Sequence, residues 1–163
     1  MKEQKATFAI WKQVNIYGDE SLHQTYDVLK NQKKVAFSER ANKYFLFTAP
    51  IIPSAPSAHV LNLVKRSIHD LGFTDRAAAP EIASHAYKQG YLCFSPKAVL
   101  QIIQKYLVPD NDTKFVLLTK VHEKTDAVIV TFSRDEKMCI DVREAGKSFP
   151  TTNSPYAFLL IAL

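Results

Sequence analysis

The pattern of hydrophobic and polar residues predicts β structure at both ends of the chain. Residues 6–17 are rich in β-branched and aromatic types and end at Gly18, which predicts a first strand. Beyond residue 110, apolar and polar residues alternate with the period of two that half-buried strands show. Three segments follow this pattern and predict an antiparallel meander: 115–121, 127–132 and 138–142. The segment 155–163 is apolar throughout, and its pattern fits a buried strand or a short buried helix.

The middle of the chain shows helical periodicity instead. Asp19 can cap a first helix, whose apolar residues recur at helical spacing up to the polar stretch 31–34. Three consecutive helices are then predicted, each with an apolar stripe, in the segments 57–71, 80–89 and 95–107. Gly72 and Gly90 are expected to end the first two, because glycine readily adopts the left-handed conformation that follows many helices.

The segment between the first helix and the other three allows two interpretations. Residues 35–37 and 44–48 resemble two short strands of a hairpin, although Ser38 can equally cap a helical turn between them. Residues 50–56 contain three prolines, which exclude helix and predict a connecting segment.

Together these elements predict an α+β fold in a single globular domain covering residues 1–163. We expect a mainly antiparallel sheet built from the N-terminal and C-terminal strands. About four helices, three of them consecutive in the middle of the chain, are expected to pack on one face of that sheet. The content of 47% hydrophobic and 23% charged residues indicates a packed core rather than a disordered chain.

The composition also argues against several classes of protein. Residues 1–5 mix an acid with bases, and no apolar region typical of a signal peptide follows. The longest apolar run, 156–163, is far shorter than the roughly 20 residues that cross a bilayer. Cys93 and Cys139 are too few for a disulfide framework and lack the spacing of a zinc site. We therefore expect a cytoplasmic protein with reduced thiols, no membrane contact, no metal and no cofactor.

Positive charge is concentrated in one stretch. The net charge is +5, and between Lys30 and Tyr44 five bases stand against the single acid Glu39. Aromatic residues lie among these cations, a combination that single-stranded nucleic-acid binders use for phosphate contact and base stacking. The candidate binding residues are Lys30, Lys33, Lys34, Phe37, Arg40, Lys43 and Tyr44, with Lys65 and Arg66 as a second cluster that folding could add to the same surface. The competing interpretation is a solvated loop with two aromatic core anchors.

Groups of residues that could support catalysis are sparse. The loop Gly146-Lys147-Ser148 resembles the end of a P-loop, but no glycine stands five positions earlier. Cys93 lies among apolar residues and is expected in the core, whereas Cys139 shares a strand face with charged residues and is expected to be partly exposed. The catalytic candidates are weak. They are Glu81 and His85, which stand four residues apart on a predicted helix, together with His122.

These observations support three competing hypotheses about function. The first is a non-catalytic binding or regulatory module that engages another macromolecule through an exposed surface. The second is a nucleic-acid-binding protein that uses the basic and aromatic segment 30–44. The third is a small enzyme or ligand-binding protein whose site is assembled by the fold from distant residues. The expected partner is another protein or an anionic one such as nucleic acid, and a homo-oligomer is compatible with the sequence without following from it.

Overall fold

The computed structural model describes residues 9–18, 20–49, 59–110, 112–121, 123–143, 146–150 and 155–162. The strands in these ranges are β1 (Lys12–Ile16), β2 (Val35–Phe37), β3 (His59–Arg66), β4 (Ala77–Ala78), β5 (Tyr91–Leu92), β6 (Lys114–Val121), β7 (Lys124–Phe132), β8 (Met138–Arg143), β9 (Ser148–Phe149) and β10 (Tyr156–Ala162). The helices are α1 (Leu22–Lys30), α2 (Glu39–Lys43), α3 (Ala79–Lys88) and α4 (Pro96–Tyr106), and a π-helical turn, Tyr44–Thr48, continues α2. No helix within these ranges has the length and apolar content needed to cross a bilayer.

Eight of the strands form one mixed sheet. Its order is β1-β3-β10-β6-β7-β8-β2, and β5 pairs with the end of β10. The pairs β10–β6 and β8–β2 are parallel, and the other pairs in this sheet are antiparallel. The α+β prediction is confirmed, but the sheet is mixed rather than mainly antiparallel. Both parallel pairs join segments that are far apart in the chain, so a local sequence pattern does not predict that these strands pair.

Helices pack on both faces of the sheet, and β10 lies near its middle. Phe158 and Leu160 point into a core formed with α3, and Leu159 points into a core formed with α1, α2 and α4. The prediction that the helices pack on one face is therefore wrong. Consecutive apolar residues in β10 require cover on both sides, because neighbouring side chains of a strand point to opposite faces.

The predicted helix 57–71 is the largest error in the secondary structure. Residues 59–66 form β3, which pairs with β1 on one side and β10 on the other. Leu63 and Val64 are 0% and 1% exposed, on opposite faces of the sheet. A spacing of three and four between apolar residues fits a helix, but consecutive apolar residues also suit a strand buried on both faces. Pairing with two neighbouring strands supplies the backbone hydrogen bonds that an isolated helix would make internally.

The other central elements match their predictions more closely. Ser95 caps α4 by accepting a hydrogen bond from the Ala98 amide at 3.2 Å, and Pro80 occupies the first turn of α3. Gly90 follows α3 with a φ of +91°, the conformation expected of a terminating glycine. Only these two of the three predicted consecutive helices form, and β5 lies between them.

The segment 35–48 combines both interpretations of its sequence. Residues 35–37 form β2 as predicted, but β2 pairs with β8 rather than with residues 44–48. Ser38 caps α2 by accepting a hydrogen bond from the Ala41 amide at 3.1 Å, so the helical alternative holds there. Residues 44–48 are π-helical, and the predicted hairpin is wrong.

Both ends of the chain contain the predicted β structure, but the first strand is shorter than the predicted 6–17, since β1 covers residues 12–16 and the described residues 9–11 lie outside it. The meander appears as β6, β7 and β8, and the apolar C-terminal segment is strand β10. Ser21 caps α1 in a capping box with Gln24. The predicted cap Asp19 and the proline-rich segment 50–56 lie outside the described residues.

Candidate functional site

One part of the sheet face opposite α1, α2 and α4 forms the floor of a cavity. Across this floor, Ala36 of β2 pairs with Cys139 of β8, which pairs with Thr131 of β7. On the same floor, Lys114 of β6 pairs with Tyr156 of β10. These five residues help to line a cavity of about 460 Å³, which we call the sheet cavity. Because strand side chains alternate between faces, the regular pairing places these residues on one surface.

A second cavity adjoins the sheet cavity and is strongly basic. Its volume is about 560 Å³, and we call it the basic cavity. It is lined by Arg40, Arg76, Asp141, Arg143, Gly146, Lys147 and Ser148. Asp141 and Arg143 line both cavities, so the two cavities adjoin, and we call them together the cleft. Among the residues that the structure describes, four bases and one acid line the basic cavity, and together they contribute a positive potential.

The elements around the basic cavity explain how bases from distant parts of the chain meet. Arg40 lies in the first turn of α2, and Arg143 ends β8. Arg76 directly precedes β4 and Lys147 directly precedes β9, and these two strands pair with each other. The pairing of β4 with β9 therefore holds the last two bases in one wall of the cleft.

Arg143 is held in place by its neighbours. Its Nη2 donates a hydrogen bond to the Tyr156 hydroxyl at 3.0 Å, and its Nη1 lies 3.5 Å from the Ser148 carbonyl oxygen. The guanidinium carbon lies 4.5 Å from the centre of the Phe149 ring and 5.4 Å from that of Tyr156. Stacking on aromatic rings and these hydrogen bonds orient the planar group before any ligand arrives.

Asp141 has a fixed orientation although it is exposed. Its Oδ1 accepts hydrogen bonds from the Ser38 hydroxyl at 2.5 Å and from the Val142 amide at 2.8 Å. Ser38 is also the cap of α2, the helix that carries Arg40. One serine therefore links the acid of the cleft to the helix that supplies one of its bases.

The residues of the basic segment 30–44 lie in different surroundings in the structure. Arg40 lines the basic cavity, and Phe37 lines the sheet cavity. Lys43 forms an exposed ion pair with Glu39 at 3.0 Å, one helical turn away. These residues therefore do not act as one group.

The remaining lysines of the segment lie outside both cavities. Lys33 and Lys34 are exposed in the connection between α1 and β2. Lys30 ends α1, and its Nζ lies 5.4 Å from the centre of the Tyr26 ring. Of the five bases predicted to bind an anionic partner, Arg40 alone lines the cleft.

Lys65 and Arg66 lie far from this segment. They belong to β3, and five strand steps separate β3 from β2 in the sheet order. At the usual spacing between strands, this corresponds to about 24 Å. The two predicted basic clusters therefore do not merge into one surface.

Tyr44 is a core residue. It is 6% exposed, and its hydroxyl lies 2.7 Å from the Thr119 hydroxyl. Burial raises the pKa of Tyr44 to about 12, because the charged phenolate is poorly solvated there. A buried ring cannot stack on a nucleic-acid base, so the interpretation of this residue as a core anchor is the better one.

The three catalytic candidates do not meet in the cleft. Glu81 and His85 are both exposed on α3, and the His85 ring centre lies 4.5 Å from that of Phe73. Neither residue lines the sheet cavity or the basic cavity. His122 lies outside the described residues. Among the residues that the structure describes, no group of three or more His, Cys, Asp or Glu side chains could hold a metal ion.

Sequence reasoning missed most of the cleft. Arg143 shares a strand face with Cys139 and Asp141, and this alternation was a usable signal. The sequence around Lys147 indicates only a weak resemblance to a P-loop. The residues around Arg76 show no sequence pattern that predicts a binding site. Its position in the cleft depends on the pairing of β4 with β9.

The two cysteines should differ in reactivity. Cys139 is exposed and lines the sheet cavity, whereas burial raises the pKa of the Cys93 thiol. Because the thiolate is the nucleophile, we expect Cys139 to react with an aromatic disulfide reagent at least about tenfold faster than Cys93 at neutral pH. Stopped-flow absorbance should show a fast and a slow phase, and Cys139→Ser should remove the fast one. A fast phase that survives in that variant would contradict the assignment.

The fold and the cleft together define an α+β protein with a mixed sheet and a basic cavity, beside a part of one sheet face that no described helix or strand covers. No protein-family model matches the sequence, and no curated protein and no solved structure matches it either.

Proposed function

We propose that this protein is a non-catalytic binding module that holds a phosphate-bearing ligand in the basic cavity. The observation that carries the proposal is the convergence of Arg40, Arg76, Arg143 and Lys147 around one cavity, where Asp141 is the one acid among the described lining residues. A concave surface lined by one sign of charge concentrates the field and attracts counter-ions. Arginine suits phosphate in particular, since its planar group can donate two parallel hydrogen bonds to phosphate oxygens.

The orientation of Arg143 supports this proposal. The Phe149 and Tyr156 rings and two hydrogen-bond acceptors hold its guanidinium beside the cavity. A side chain that is already ordered loses less entropy when a ligand binds. The cleft therefore combines positive charge with at least one preorganised donor.

The distribution of charge favours a compact ligand over a polymer. Proteins that bind nucleic acid strands place many bases along a continuous groove. Here Lys33 and Lys34 lie outside the cleft, and Lys43 is paired with Glu39. The bases that converge do so around a single cavity of about 560 Å³, within the size range of small-molecule sites.

Isothermal titration calorimetry with pyrophosphate as the probe tests the proposal. The double variant Arg76→Gln/Lys147→Gln removes two exposed bases of the cleft, and we expect its Kd to rise at least about tenfold. The matched control, Lys33→Gln/Lys34→Gln, removes the same charge from an exposed region outside the cleft and should change the Kd less than about twofold. Both pairs are exposed, so neither change should disturb the core.

Two results would contradict the proposal. The first is a wild-type protein that does not bind pyrophosphate at low ionic strength. The second is an equal loss of affinity in both double variants, which would indicate a diffuse charge effect. A single-stranded oligonucleotide that binds tightly, and loses its affinity in Lys33→Gln/Lys34→Gln, would favour the nucleic-acid hypothesis instead.

A further inference from the structure

We infer that the ligand is a phosphate monoester with hydroxyl groups on its carbon skeleton, such as a polyol or sugar phosphate, and that Asp141 recognises a hydroxyl. This inference rests on the proposed function, because it assumes that the phosphate occupies the basic cavity. It adds the chemical class of the remainder of the ligand and a residue that selects it.

Asp141 lies where the two cavities meet. It lines both cavities, and so does Arg143, so these two residues stand at the junction of the cleft. A carboxylate repels a phosphate, and a cavity that served phosphate alone would bind it better without one. A carboxylate is also a strong acceptor for hydroxyl hydrogen bonds, because its acceptor oxygens are charged.

Hydrogen bonds fix one oxygen of the Asp141 carboxylate. Ser38 and Val142 donate to Oδ1, which fixes the plane of the carboxylate. Oδ2 accepts no hydrogen bond from the described part of the chain. The fixed Oδ1 therefore leaves the second oxygen as an acceptor at the junction, where the carbon skeleton of a phosphate monoester would leave the basic cavity.

The sheet cavity suits the carbon skeleton of such a ligand. Its lining mixes apolar groups, such as Ile129 and Ala36, with the hydroxyl groups of Thr131 and Tyr156. Its volume of about 460 Å³ is ample for a short polyol or a sugar. A purely apolar cavity would suit a hydrocarbon chain, whereas this mixed floor can contact both carbon atoms and hydroxyl groups of a polyol.

A matched pair of ligands tests the inference: glycerol phosphate and propyl phosphate have the same three-carbon skeleton and differ in hydroxyl groups. Calorimetry should show that the wild type binds glycerol phosphate about five- to tenfold more tightly than propyl phosphate. In Asp141→Asn this preference should fall below about twofold, because a neutral amide is the weaker acceptor.

The same variant should bind propyl phosphate and inorganic phosphate about two- to fivefold more tightly than the wild type, since a nearby negative charge is lost. This gain is an internal control, because a misfolded variant would not bind any of the three ligands better. Asp141→Ala, which removes the acceptor altogether, should show the same gain and no preference for glycerol phosphate.

The outcomes separate this inference from the proposed function. If the wild type binds both ligands equally and Arg76→Gln/Lys147→Gln weakens both, hydroxyl recognition is wrong and phosphate binding stands. If Asp141→Asn weakens all three ligands to the same extent, Asp141 is a structural residue and the inference is also wrong. If none of the three binds to the wild type, the proposed function fails together with the inference.

Discussion

Replacing Phe158 by alanine should lower the free energy of unfolding by about 3–5 kcal/mol. Phe158 lies in β10 near the middle of the sheet, is 0% exposed, and packs its ring 5.3 Å from that of Phe149. Removing the ring loses its transfer free energy and leaves a cavity that the surrounding sheet cannot close. Domains of this size have a total stability of about 5–15 kcal/mol, so the variant would lose a large share of it. Chemical denaturation followed by tryptophan fluorescence measures the change.

Phe47 provides the matched control for this substitution. It lies in the π-helical turn and is 70% exposed, so Phe47→Ala makes the same chemical change at the surface. We expect it to alter the free energy of unfolding by less than about 0.5 kcal/mol. Similar losses in both variants would be inconsistent with the described position of β10. Leu159→Ala extends the test to the opposite face of the same strand and should cost about 2–5 kcal/mol.

The second large effect concerns Gln101, a buried polar residue of α4. Its amide donates to the Tyr17 carbonyl oxygen at 2.9 Å and accepts from the Tyr17 amide at 2.8 Å. These two bonds fix the chain where it leaves β1. We expect Gln101→Leu to lower the free energy of unfolding by about 2–4 kcal/mol, because it removes both partners of the Tyr17 backbone. Urea denaturation measures this loss, and hydrogen exchange of the Tyr17 amide should accelerate.

Gln104 on the same helix gives the control. Its Oε1 is buried and accepts no hydrogen bond from the described residues. Gln104→Leu should therefore be neutral or slightly stabilising, since it removes a desolvated acceptor and adds apolar surface. Equal destabilisation by the two leucine variants would show that helix packing, rather than the contacts with Tyr17, accounts for the loss at position 101.

The architecture of the sheet explains why a cleft exists where it does. One face is covered by α1, α2 and α4, and the other is covered in part by α3 and the β4–β9 pair. Next to α3 and the β4–β9 pair, alternate side chains of β8 line the sheet cavity. Among them are Cys139, Asp141 and Arg143. The wall formed by β4 and β9 then adds Arg76 and Lys147 at its margin. Among the described elements, the second layer covers only part of this face, and this arrangement creates both the cavity and its charge.

The sequence by itself determined those elements whose signals are local. Helix α4 follows from the Ser95 cap, the following proline and an apolar stripe, all within a dozen residues. The meander β6–β7–β8 follows from period-two alternation, and this alternation also placed Cys139 on an exposed face. These features depend on contacts between near neighbours in the chain, so the order of residues suffices to predict them.

The tertiary structure decided the rest. Residues 59–66 have an apolar spacing that suits a helix, and they become a strand because β1 and β10 flank them on both sides. The parallel pairs and the second covered face likewise depend on segments far apart in sequence. The candidate site has the same origin, since Arg40, Arg76 and Arg143 meet only when α2, β4 and β8 take their places. The charge pattern and the hydrophobic periodicity of a sequence indicate local secondary structure. A cavity is formed by surfaces that only folding brings together.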